Sequence, residues 1–238
     1  MKFKILTLFP EMFPGPINHS ITGKALRKKK FQLEAINIRD FSINKAKTVD
    51  DTPFGGGAGM IMKPEILQNA LAFAKKGFKK NCKIFSMSPS GKKITQSFIK
   101  NLVNSKEIIL ICGRYEGIDQ RFIDYNEIEE ISVGDYILSG GEIASFILID
   151  ACVRLIPEVL GNSESLRSES FHDYLLEYSQ YTKPSVWKKL KVPEVLLTGN
   201  HKKISDWRLK SSLEKTKKIR PDLYNLFEKK KRKLWITF

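Results

Sequence analysis

Apolar positions recur along the first two-thirds of this chain with two periods that take turns. Phe3 to Phe9 and Phe31 to Ile38 read as strands, as does Lys83 to Met87. Ile108-Ile109-Leu110-Ile111 is an unbroken apolar run, the pattern of a strand buried on both faces. Between these runs the spacing becomes helical. Pro64 to Lys76 carries Ile66, Leu67, Ala70, Leu71 and Ala74, and Ile94 to Val103 carries Ile94, Phe98 and Leu102. Pro16 to Lys30 reads as a helix ending in Arg27-Lys28-Lys29-Lys30, whose charges suit a helix C-terminus, and Glu142 to Ile156 as an apolar helix. Strand and helix in alternation predict an α/β fold with a mainly parallel sheet covered by helices.

From Gly161 to Glu169 the chain turns to Asn, Ser, Glu and Arg with few apolar anchors, the chemistry of a linker. The expected organisation is a domain over residues 1–160, a linker over 161–175 and a small, mostly α-helical domain over 176–238. In the last of these, Val186 to Lys191 and Asp206 to Lys218 have helical character, and Pro221 interrupts it.

Charge separates the same regions. Lys183 to Phe238 holds 17 Lys and Arg against 5 Asp and Glu, a net +12, whereas the preceding 182 residues hold 24 against 21, a net +3. A basic module that also carries Trp187, Trp207, Tyr224 and Trp235 suits a polyphosphate partner, because cations displace condensed counterions and aromatic rings stack on exposed bases. Cys82, Cys112 and Cys152 are odd in number and widely spaced, which indicates neither a disulfide framework nor a zinc site. His19, His172 and His201 are equally scattered, so no metal site is expected. No apolar run approaches the roughly 18 residues of a membrane span, and the first residues are too short for a signal peptide. A cytoplasmic protein is therefore expected.

Three glycine-bearing loops follow strand-like runs: Ser86-Met87-Ser88-Pro89-Ser90-Gly91, Cys112-Gly113-Arg114-Tyr115-Glu116-Gly117 and Ser132-Val133-Gly134-Asp135-Tyr136-Ile137-Leu138-Ser139-Gly140-Gly141. A flat, multi-polar ligand such as an adenosine is best read by main-chain N–H and C=O groups, which come close only where side chains are missing. Ligands of α/β sheets sit beyond the carboxyl ends of the strands, where these loops would lie. Any one loop reads equally well as a simple turn; three in one stretch point to a ligand.

The second and third loops, with Asp51-Thr52-Pro53-Phe54-Gly55-Gly56-Gly57, Tyr181-Thr182-Lys183-Pro184 and Leu197-Thr198-Gly199-Asn200-His201, resemble the bacterial tRNA (guanine-N1)-methyltransferases of the knotted SPOUT class. The motifs occur in that family's order over nearly the whole chain. The resemblance implies a trefoil knot at the end of the N-terminal domain and a homodimer with each active site at the subunit interface. It also implies methyl transfer from S-adenosyl-L-methionine to guanosine 37, with the anticodon stem-loop of tRNA as partner. Magnesium would assist without a dedicated protein site. The donor would be held by Met87, Ser88, Pro89, Gly113, Tyr115, Glu116, Gly117, Val133, Gly134, Asp135, Tyr136, Ile137, Leu138, Gly140 and Gly141. Two other readings share the scaffold: a SPOUT enzyme acting on another RNA, and a non-catalytic RNA-binding protein.

Guanine N1 bears a proton at neutral pH, so its methylation requires a general base, and charge gathers on O6 as the proton leaves. Arg154, a charge in the apolar Ala151-Cys152-Val153-Arg154-Leu155-Ile156, matches the family's functional arginine and is assigned to O6 and to orienting the base. The family's base is an aspartate in the linker; here Ser168-Glu169-Ser170-Phe171 puts Glu169 at that position, with Asp173 in reserve. Ala58 and Ala144 stand where the family commonly has proline, and Tyr174 where it commonly has glycine. Glu116, between Arg114 and Arg121, is expected near the methionine end of the donor or the target guanine, and Asp51 near tRNA.

Overall fold

The computed structural model describes residues 1–161 and 169–236. Linker residues 162–168 lie outside the described residues, and so does the side chain of Trp235. The chain divides into two compact units, Met1–Gly161 and Asn162–Phe238.

The first unit is built on five strands: β1 (Lys2–Thr7), β2 (Gln32–Asn37), β5 (Lys83–Lys93), β6 (Glu107–Cys112) and β7 (Glu129–Ser132). They pair in the order β2-β1-β6-β5-β7, and every pairing is parallel. The short β3 (Asp50–Asp51) and β4 (Ile61–Met62) form a separate antiparallel pair. The side-chain period of two sends Ile108 and Leu110 into one apolar layer and Ile109 and Ile111 into the other. Helices α1 (Ser20–Arg27), α3 (Gln96–Leu102) and α5 (Gly141–Val153) contribute to the first layer. Helices α2 (Pro64–Lys75) and α4 (Gln120–Tyr125) contribute to the second. With both faces covered, the central strand β6 is apolar from Ile108 to Cys112, which is why its sequence run shows no alternation.

Three elements of this unit depart from the sequence reading. The stretch from Pro16 begins as a short 3₁₀ turn, Gly15–Asn18, before α1 starts, and the chain leaves α1 with Lys29 at φ +55°. Strand β5 does not stop at Met87. Residues 88–91 bulge out, and Lys92 then takes up pairing against the same Ile131 that Met87 faces. Gly91 permits the return: a Cβ there would sit 2.3 Å from Ile131 N. The apolar helix α5 ends at Val153, so Arg154 is its C-cap, half-buried, rather than a charge inside it.

The second unit holds helices α6 (His201–Ile219) and α7 (Pro221–Ile236). Asn200 caps α6 by accepting from Lys203 N at 3.1 Å. Pro221 sits at the first helical position of α7, where its missing N–H costs nothing, so it starts a helix as well as ending one. Val186 to Lys191 is not helical but a hairpin of β8 (Val186–Trp187) and β9 (Leu190–Lys191). Its turn residues Lys188 and Lys189 both have positive φ, the two-residue geometry that matches strand twist, here made without the usual Asn or Gly.

Candidate functional site

The three glycine loops converge. Met87, Cys112 and Ser132 lie where β5 first meets the bulge and where β6 and β7 end, side by side in the sheet. Beyond them is a cavity of about 390 Å³, in the size range of small-ligand sites. Of the residues expected on the donor side, Met87, Ser88, Pro89, Gly113, Tyr115, Glu116, Gly117, Val133, Gly134, Tyr136, Ile137, Leu138, Gly140 and Gly141 line it. Asp135 does not; its carboxylate pairs with Lys93 Nζ at 3.2 Å on the exposed side of the loop.

The loops are pressed together where side chains are missing. Gly141 N donates to Gly113 O at 3.0 Å, and a Cβ on Gly141 would fall 2.7 Å from Cys112 Cα. The second loop is tied outward as well, with Glu116 N donating to Met60 O and Met62 N donating to Gly117 O, both at 3.0 Å. Burial pushes the Cys112 thiol up, so it stays protonated beneath the loop and serves as packing.

Glu116 lines the cavity but is exposed and lies against Gly59, and the two flanking arginines have other partners. Arg121 grips Asp119 through two contacts at 2.9 and 2.7 Å, which holds the Asp119 carboxyl below its ordinary range. Arg114 Nε lies 2.9 Å from Glu142 Oε2, an ion pair without a directed hydrogen bond. Asp51 pairs with Lys63 at 2.8 Å, a contact that lowers the Asp51 carboxyl and raises the lysine. Arg154 caps α5 and is not among the cavity's lining residues.

Glu169 and Asp173 belong to the second unit. The segment around them is turned sharply, with Phe171, Asp173 and Tyr174 at φ +73°, +49° and +64°. Tyr174 thus adopts the backbone conformation that a glycine there would favour, which costs about 1–2 kcal/mol for a residue bearing a Cβ. Lys230 Nζ donates to Asp173 Oδ1 at 2.5 Å, and this contact raises the lysine above its ordinary range.

Sequence reasoning passed over Ile118, Gln120, Ile123 and Glu130 in the lining. It also passed over Glu142, whose burial behind the third loop carried no signal in a Gly-Gly-Glu string. Among the described residues no three of His, Cys, Asp and Glu are grouped to hold a metal ion. No helix among them is long and apolar enough to cross a membrane.

Comparison with known proteins gives the chain a family. A family model described as tRNA (Guanine-1)-methyltransferase TrmD matches residues 1–226. A tRNA (guanine-N(1)-)-methyltransferase of Wolbachia pipientis subsp. Culex pipiens is 52% identical over 223 residues, covering 93% of this chain and 96% of its own length. Its namesake in Neorickettsia sennetsu is 51% identical over 223 residues, covering 94% and 98%. That of Pelagibacter ubique is 50% identical over 226 residues, covering 95% and 98%. With a parallel sheet whose loops line a cavity and a match running almost end to end, this chain belongs to the tRNA (guanine-1)-methyltransferase family.

Proposed function

We propose that this protein transfers a methyl group from S-adenosyl-L-methionine to N1 of guanosine 37, the nucleotide 3′ to the anticodon of tRNA. One observation carries the reading: the cavity lined by three glycine-bearing loops at the carboxyl edge of the sheet, in a chain about half identical along its length to enzymes named for guanine-N1 methylation. Family membership favours this over a SPOUT enzyme for another RNA or a non-catalytic RNA-binding protein.

The cavity fits the donor. It is of ligand size, it is lined by residues of all three glycine-bearing loops, and a Cβ placed on Gly117 would meet nothing within 4 Å. Met87 to Pro89, Gly113, Tyr115 to Gly117, Val133, Gly134, Tyr136 to Leu138, Gly140 and Gly141 would hold it. When bound, S-adenosylmethionine supplies a methyl carbon on a sulfonium, a good leaving group. The protein must then make guanine N1 nucleophilic. Glu169 would accept the N1 proton, which frees the N1 lone pair for the methyl group, and Arg154 would offset the charge at O6. Asp173 is the reserve base. Drawing the guanine out of its stack costs a few kcal/mol, and the basic residues beyond Lys183 supply the grip on the anticodon stem-loop.

The trefoil knot around the donor, the homodimer with its site at the subunit interface, a cytoplasmic setting and assistance by magnesium belong to the same proposal. The test is transfer of radiolabel from S-adenosylmethionine to transcripts with and without guanine at position 37. Label entering only the guanine-bearing transcript is expected. Transfer indifferent to that base, or none at all, overturns the proposal.

A further inference from the structure

Glu142 is the one buried charged side chain among the described residues, and the proposed chemistry gives it nothing to do. A carboxylate taken out of water is costly unless charge and hydrogen bonds compensate it. Two neighbours do so here. Thr7 Oγ1, at the end of β1, donates to Glu142 Oε1 at 2.7 Å, and Arg114 Nε lies 2.9 Å from Oε2. Arg114 is fixed from further sides. Its guanidinium lies over the Phe9 ring, 4.4 Å from the centroid, and its Nη1 donates to Ser139 O at 3.1 Å. The missing side chain of Gly140 makes room for it: a Cβ there would fall 2.4 Å from Arg114 Nε.

Arg114 belongs to the second cavity loop, Ser139 and Gly140 to the third, and Glu142 to the first turn of α5 that follows. Arg114 lines the cavity together with Gly113, Ser139 and Gly140, so the contacts that fix its guanidinium bear on the cavity wall itself. We infer that Glu142 is a positioning residue, a buried strut that acts through Arg114 to hold two cavity loops in register for the methyl donor. This rests on reading the cavity as the donor site.

Glu142→Gln keeps the shape and an oxygen for Thr7 but removes the charge that Arg114 faces. The first readout is amide hydrogen exchange of the unliganded protein. Gly117 and Gly141 amides should exchange on the order of tenfold faster than in the unaltered chain, as expected when one ion pair is removed, while β2 amides keep their rates. The second is steady-state methylation. KM for the donor should rise on the order of tenfold, with KM for tRNA and kcat at saturating donor held. A merely structural role would lower the amount of active protein, depressing kcat and leaving both KM values alone. Arg114→Gln should reproduce the pattern, and the double variant should be no worse than the worse single one. Thr7→Val, which keeps the charge pair, should shift the same readouts less and covers the case in which Glu142→Gln does not fold. Unchanged exchange at both loops, a fall in kcat alone, or additive losses would overturn the inference. Exchange is read without ligand, so failure of the unaltered chain to bind donor would sink the donor reading and leave the strut to be judged on exchange alone.

Discussion

Every apolar side chain that is fully buried among the described residues belongs to the first compact unit, from Phe3 to Val153. The second unit buries only Ser212 and Thr216 there, and leaves Trp187, Leu190, Leu197 and Leu209 more than half exposed. Its order comes instead from polar ties, such as Leu176 N donating to Thr216 Oγ1 at 2.8 Å and Lys215 Nζ donating to Glu177 O at 3.0 Å. A dense two-layer core can hold loops to within fractions of an ångström, as a preorganised donor site requires. A thin, basic unit of net +12 from Lys183 onward is suited to gaining order from a polyanion. The difference teaches that dense packing and excess positive charge fall at different ends of the chain, which is the division the proposed function needs between donor and nucleic acid.

The largest break in that division comes from chemistry carried outside the dense core. Glu169→Ala should lower kcat by roughly 10²- to 10⁴-fold while donor affinity measured by calorimetry holds, since removing a general base takes away only transition-state help. Asp173→Ala should cost much less; the reverse ranking in single-turnover rates would move the base to Asp173. Within the core, Gly141→Ala forces a Cβ to 2.7 Å from Cys112 Cα and should destabilise the protein by about 1–3 kcal/mol, read in thermal melts, with donor binding abolished alongside. An unaltered melt would mean the loops are less tightly pressed than the backbone separation implies.

Milder changes sharpen the comparison from the basic end. Replacing Lys229, Lys230 and Lys231 with Gln should flatten the dependence of tRNA affinity on salt, by up to about 0.7–0.9 in log–log slope for each phosphate no longer neutralised, leaving donor affinity intact. Smallest of all, Tyr174→Gly relieves a φ of +64° at the expense of backbone entropy and should stabilise the protein by no more than about 1 kcal/mol in denaturant titration.

How far the sequence reveals this molecule varies with the range of the forces involved. The strands from Phe3 and at Ile108, the helix from Pro64 and the three glycine loops are local patterns, and the structure contains them within a few residues. The bulge that lets β5 resume at Lys92 depends on Gly91 meeting Ile131, some 40 positions on, which no local period records. Val186 to Lys191 deceived for a different reason: Lys188 and Lys189 are ordinary helix residues, and only pairing across the turn places them at positive φ. Arg154 read as interior to an apolar helix because Leu155 and Ile156 follow it, yet α5 has already ended in tight turns from Cys152 and Val153. Glu142 was illegible for the same long-range reason, since its partners Thr7 and Arg114 stand 135 and 28 positions away.

Titration calorimetry of the isolated protein with S-adenosylhomocysteine, the demethylated form of the donor, tests the central claim most directly. Saturable uptake at one site per chain, abolished by Gly141→Ala, is the result this account predicts. A well-folded protein that takes up none of it would contradict the account.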